Sequence, residues 1–140
     1  MSGAHFTLDA RLKADTRPVA ALSLCDLLLM NDARYPWLIL VPRQAGCVEI
    51  LDLPDEARTA LWQEIQQVAA ALRDVSCCDK LNIGALGNSV RQLHVHVIAR
   101  MEGDAAWPGP VWGHGRAEPY ANGDAQSLMH ALRQRLGVAA

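Results

Sequence analysis

The chain has 140 residues, 51% hydrophobic and 20% charged, with a formal net charge of −2. That length predicts one domain spanning 1–140, and the near-neutral balance gives no electrostatic reason to expect a nucleic-acid partner. Cys25, Cys47, Cys77 and Cys78 lack C-x-x-C spacing, so neither a disulfide framework nor a zinc knuckle is indicated. The N-terminus Met1–Phe6 has no basic region leading into an apolar run, and no stretch approaches a membrane span. A cytoplasmic protein with reduced thiols is the expectation.

Taken in order, Phe6, Leu8 and Leu12 punctuate a short helical stretch that Thr7 or Asp9 would cap and Pro18 would end. Pro18–Leu24 reads as a strand, Cys25–Asp26 as a turn, and Leu27–Met30 as a second strand. Asn31–Asp32 then breaks the pattern. Trp37–Val41 is apolar throughout and stops at Pro42, which predicts a central strand covered on both faces. Short connections between these strands favour an antiparallel meander.

From Pro54 to Val75 the period changes to that of a helix. Leu61, Ile65, Val68, Ala69 and Leu72 form the apolar stripe, with Asp55, Glu56, Glu64 and Arg73 opposite. Pro54 suits the first turn, and the acidic residues suit a positive helix start. Lys80–Gly84 reads as a strand and 85–89 as the loop after it. Beyond Arg100, Trp107-Pro108-Gly109-Pro110-Val111-Trp112 is stiff and rich in apolar area, fitting either a flap over its own core or a contact between subunits. Asp124–Leu136 predicts an amphipathic helix ending at Gly137. Together these give an α+β domain: an antiparallel sheet of about five strands, one long helix across it, and a C-terminal helix. Its core would span about 6–100, with 101–140 as a C-terminal segment.

The chemistry concentrates in 87–98. Apolar and polar residues alternate from Gln92 to Ile98, placing Leu93, Val95 and Val97 on one strand face and Gln92, His94 and His96 on the other. Residues two apart on a strand have Cα atoms roughly 6.6 Å apart, so both imidazoles can reach one phosphate or metal. Gly87 and Ser89 mark a turn where backbone N–H and hydroxyl donors can gather around an anion. A metalloenzyme built on the His94-x-His96 pair is a competing reading. Two histidines are few for a zinc site, and His5 or His114 would have to fold in.

The run Gly87-Asn88-Ser89-Val90-Arg91 followed by Gln92-Leu93-His94-Val95-His96-Val97-Ile98 resembles the histidine-triad (HIT) superfamily of nucleotide-binding hydrolases and transferases. The resemblance extends to element order from about Leu22 to Arg100, and implies a HIT-like fold. It implies His94 as nucleophile, His96 as the third histidine, and Ser89 as the hydroxyl on phosphate. Asn82, Gly87 and Asn88 would line the phosphate loop, and Asn31 would meet the ribose. The chain departs from the family at Gln92, where the first histidine belongs, since glutamine carries no proton-transfer group near neutral pH. Trp37 stands where a supporting family histidine would lie on the third strand.

The activity so implied is nucleotidyl transfer at an α-phosphorus through a covalent nucleotidyl-histidine, with no cofactor and no metal. The ligand would be a nucleotide or nucleotide conjugate. The alternative is a nucleotide-binding or signalling module that turns over little, which the loss of the first histidine favours. A homodimer is also implied, paired through the long helix with Leu61, Trp62 and Ile65 as contacts.

Overall fold

The computed structural model describes residues 5–140, so most of the N-terminal stretch Met1–Phe6, expected to lack a signal peptide, lies outside them. The elements run α1 (Ala10–Asp15), β1 (Thr16–Ala21), β2 (Cys25–Met30), β3 (Trp37–Pro42), α2 (Asp55–Ser76), β4 (Lys80–Gly84), β5 (Val95–Arg100) and α3 (Asp124–Leu136). A 3₁₀ turn at Ile50–Asp52 precedes α2. All strand pairs are antiparallel, and the sheet order is β1-β2-β3-β5-β4. This is the α+β architecture the sequence predicts.

Every residue of β3 is buried, because the sheet is covered on both faces. Leu38 and Leu40 pack with Leu61, Ile65, Val68 and Leu72 of α2 and with Met129 and Leu132 of α3. Trp37, Ile39 and Val41 point the other way, into a smaller cluster with Leu12, Tyr35, Ile98 and Val111. Each fully buried Leu or Ile contributes roughly 1.5–3 kcal/mol, so the helical layer dominates stability and the thinner layer is left for a site. Among the described residues no helix is long and apolar enough to cross a membrane.

Several boundaries differ from the pattern-based expectation, each for a physical reason. Asp9 does cap α1, accepting the N–H groups of Arg11 and Leu12. Pro18, however, neither ends α1, which stops at Asp15, nor opens the strand: it sits within β1, which runs Thr16–Ala21 and is an edge strand with a register shift between Pro18 and Ala20. An edge strand tolerates a residue that cannot donate to the ladder. Cys25 and Asp26 belong to β2 rather than to a turn, pairing with Pro42 and Val41.

What fixes that corner is Glu64, expected on the solvent side of α2 but only 6% exposed. Its carboxylate accepts the N–H of Leu24 (2.8 Å) and of Cys25 (3.0 Å). Periodicity misplaced it because a charged residue was assumed to seek water. Leu61 and Ile65 are likewise buried in the core, at 0% and 2% exposure, so they cannot be subunit contacts.

Finally, β5 begins at Val95, not Gln92, so the ladder contains His96 but neither Gln92 nor His94. Leu93, just outside it, is tied back by its N–H to the Cys47 carbonyl (3.0 Å). The Trp/Pro segment is a flap on its own sheet: Ala106 and Val111 are buried in the smaller cluster, and Trp112 packs against it.

Candidate active site

His96 sits mid-sheet, opposite Ile39 on β3 and Gly84 on β4. Paired residues share a face, so Gly84 leaves open the ground beside the imidazole. Trp112 occupies it: a Cβ on Gly84 would lie 3.1 Å from the indole, whose ring is 5.4 Å from that of His96. On the β3 side the Trp37 indole N–H donates to His96 Nδ1 at 2.9 Å. An acceptor at Nδ1 leaves the ring proton on Nε2, so His96 presents a donor.

The second imidazole is fixed in the opposite sense. His94 Nδ1 lies 2.7 Å from the Gln92 carbonyl oxygen, which can only accept. Nδ1 therefore carries the proton and Nε2 keeps a free lone pair. The two rings are 4.9 Å apart between centroids and inclined by 65°. One imidazole presents a bare Nε2 and its neighbour an Nε2–H donor. Both are buried, at 7% and 5% exposure, rather than lying on an open polar face.

Burial, and secondarily the nearby His94, pushes the His96 imidazole down from 6.5 to about 3. The unfolded chain takes that proton near 6.5, the folded chain only near 3. The stability held by the neutral ring is therefore complete above the unfolded value and is lost as pH falls toward the folded one. At about 1.36 kcal/mol per unit the loss amounts to a few kcal/mol. Urea titrations between pH 7 and 3.5 should show the midpoint falling steadily, and His96→Gln should flatten that fall. An equal slope in His96→Gln would assign the acid sensitivity elsewhere.

The remaining sequence candidates are placed as follows. The Gln92 side chain bonds neither ring: Oε1 accepts the Asp9 N–H (2.8 Å) and Nε2 donates to the Thr7 carbonyl (2.9 Å). Asn88 and Ser89 are exposed in the loop before β5, and Gly87 turns that loop at φ +70°, where glycine is favoured. Gly87, Gln92 and His94 line one cavity of about 220 Å³. Asn82 lies on β4, not in the loop, and its Oδ1 accepts from the buried Arg100 (2.8 Å).

Asn31 lines a different cavity, of about 400 Å³, together with Asp32, Arg34, Trp37 and His114. The two cavities do not share a lining residue, but Trp37 walls the larger one and bonds His96. Asn31 Oδ1 accepts the Tyr120 N–H (3.1 Å), and Asp32 accepts from Glu118 N–H (3.3 Å). Arg34 forks onto the Asp32 carboxylate at 3.0 and 2.9 Å and donates to the His114 carbonyl (2.7 Å). Burial alone would raise the Asp32 carboxyl, but hydrogen bonds from Arg34 outweigh it and hold the group below its ordinary range. The sequence reading missed Asp32, Arg34 and Trp112. Asp32 and Arg34 pair with each other and meet Glu118 and His114, 86 and 80 residues away, while Trp112 meets Gly84 and His96 on two separate strands, beyond the reach of any local pattern. Among the described residues no three His, Cys, Asp or Glu side chains are grouped to hold a metal.

A histidine pair at the start of the inner strand of a five-stranded antiparallel sheet, one residue before it and one within it, under a Trp-bearing flap, defines a histidine-triad type of domain. The HIT domain family matches residues 11–103, and the chain belongs to it. Three histidine-triad protein structures are close to it over nearly their whole lengths. The Bradyrhizobium japonicum protein is 47% identical with a TM-score of 0.94, covering 95% of this chain and 99% of its own. For the Sinorhizobium meliloti protein the values are 50%, 0.91, 93% and 96%. For the Marinobacter aquaeolei protein they are 44%, 0.93, 97% and 100%. No curated protein matches the chain.

Proposed function

We propose that this chain is a nucleotidyl-transferring hydrolase acting at an α-phosphorus through His94. The observation that carries the reading is the pair of opposed tautomers: a bare Nε2 on His94 beside an Nε2–H on His96. In the first step His94 Nε2 forms a bond to phosphorus while the bond to the leaving group breaks. The leaving amine, phosphate or nucleotide departs with the electron pair and takes any proton it needs from water. In the second step water attacks the nucleotidyl-histidine, releases a nucleoside monophosphate, and restores neutral His94.

Charge develops on the non-bridging oxygens in both steps. His96 Nε2–H, the Ser89 hydroxyl and backbone N–H groups at Gly87 and Asn88 are the donors we assign to them. A donor that stays uncharged and already oriented needs no rearrangement as the transition state forms, which suits the depressed His96. Asn31, with its amide on the larger cavity, is assigned to the nucleoside. Asn82 is assigned a supporting role, since its oxygen is engaged by Arg100.

A second reading, a nucleotide-binding module with little turnover, is favoured by Gln92, which offers no proton to a poor leaving group. Rapid-quench mixing with a labelled nucleoside phosphoramidate separates the two. The enzyme reading expects a protein-bound nucleotidyl group that forms and decays within one turnover and maps to His94. Binding without any adduct would favour the module. Turnover without an adduct would remove covalent catalysis.

We further propose a homodimer that keeps Trp62 of the three expected contacts and loses Leu61 and Ile65, which are buried. Among the described residues, Trp62 on α2, Ile83 on edge strand β4, and Leu51 and Leu86 are the large apolar side chains left exposed.

A further inference from the structure

We infer that Gln92 is a positioning residue for His94, acting by fastening the N-terminal segment and so fixing the peptide that holds the nucleophile. The inference rests on the covalent reading only for its kinetic consequence; its structural content is independent. Gln92 lies outside the strand ladder, so regular pairing does not set the direction of its carbonyl. Yet that carbonyl is the group that takes the His94 Nδ1 proton at 2.7 Å. Two anchors flank it: the Leu93 N–H on the Cys47 carbonyl, and the Gln92 side chain on residues 7 and 9.

The side-chain anchor has a particular chemistry. A primary amide carries its acceptor and donor side by side, as a neighbouring strand would, and here they meet the Asp9 N–H and the Thr7 carbonyl. An imidazole cannot do this, because its two nitrogens point in diverging directions. A carboxylate cannot either, because it only accepts and would face the Thr7 carbonyl with like charge. The departure from the family's first histidine is thus matched to a feature of this chain: residues 7–9 lie within bonding distance of position 92. Asp9 also caps α1, whose Leu12 is buried in the cluster that holds Trp37. The N-terminal segment is built into the support of both imidazoles.

The test needs a readout that a merely structural glutamine would leave alone. Imidazole ¹⁵N shifts report which ring nitrogen of His94 carries the proton. The wild-type protein should show Nδ1–H alone, and Gln92→Met, similar in shape but without the amide, should show mixed tautomers. Where turnover is present, kcat should fall by roughly 10-fold to 100-fold with KM little changed, the effect of misplacing a reacting group.

Asp9→Pro approaches from the other end, since it removes the N–H at a position whose φ of −52° proline can adopt, and Asp9→Ala is its control, losing the same carboxylate cap of α1 but keeping the N–H. Asp9→Pro should mix the tautomers where Asp9→Ala does not, and, counted relative to Asp9→Ala, adding it to Gln92→Met should bring no further change. A single Nδ1–H tautomer in Gln92→Met, or additive effects of the two substitutions, would overturn the inference. If wild type forms no adduct, the covalent reading fails while the tautomer measurement still decides the role of Gln92.

Discussion

His94→Asn is expected to reduce nucleotidyl transfer by at least about 10⁴-fold, the scale seen when a covalent nucleophile is removed. Asparagine is the informative choice because its amide can still donate to the Gln92 carbonyl, the bond His94 Nδ1 makes at 2.7 Å. Alanine is less clean than a polar strand face would suggest. The ring is 7% exposed and packed on His96, so alanine leaves a void and a buried carbonyl without its donor. Thermal unfolding of the asparagine variant should stay close to wild type while single-turnover chemistry disappears. Near wild-type turnover in that variant would show that His94 is not the nucleophile.

Glu64→Leu is expected to destabilise the fold by about 2–6 kcal/mol. Two backbone N–H groups, of Leu24 and Cys25, would lose the carboxylate oxygens that accept them in a buried place. Each unsatisfied buried donor costs roughly 1–3 kcal/mol, and the apolar area gained by leucine offsets only part of this. Glu64→Gln keeps one acceptor and should fall between leucine and wild type. Denaturant unfolding at pH 7 measures all three. A leucine variant as stable as wild type would mean that the hairpin corner finds other acceptors.

The contrast between these two residues shows what one sequence makes legible. The alternation through His96, the apolar run of β3 and the stripe of α2 are local periodic signals, and each corresponds to an observed element, although β5 takes up the alternation only from Val95. Glu64 was misread because periodicity sees only the helix, whereas its partners belong to a hairpin forty residues earlier. Gln92 was grouped with the histidines by strand alternation, but the ladder starts three residues later and frees its side chain to turn toward residue 7. Trp112 could be recognised as a docked aromatic but not placed over His96. Its position depends on the bare Gly84, a strand residue with no signal of its own. Features carried by one element were readable, and features made by two distant ones were not.

The strand order has a consequence for synthesis. β5 is the last strand to leave the ribosome, yet it belongs between β3 and β4. The Trp37–His96 bond accordingly joins groups 59 residues apart. A nascent chain can pair β1, β2 and β3 early through short turns, but one edge of β3 has no neighbour until residue 100 has emerged. That edge belongs to the most apolar strand in the chain, and an unpaired apolar edge is a template for other chains. The strand that follows His94 and carries His96 is also the piece that closes the sheet, so truncated products ending before Arg100 should aggregate rather than accumulate as folded fragments.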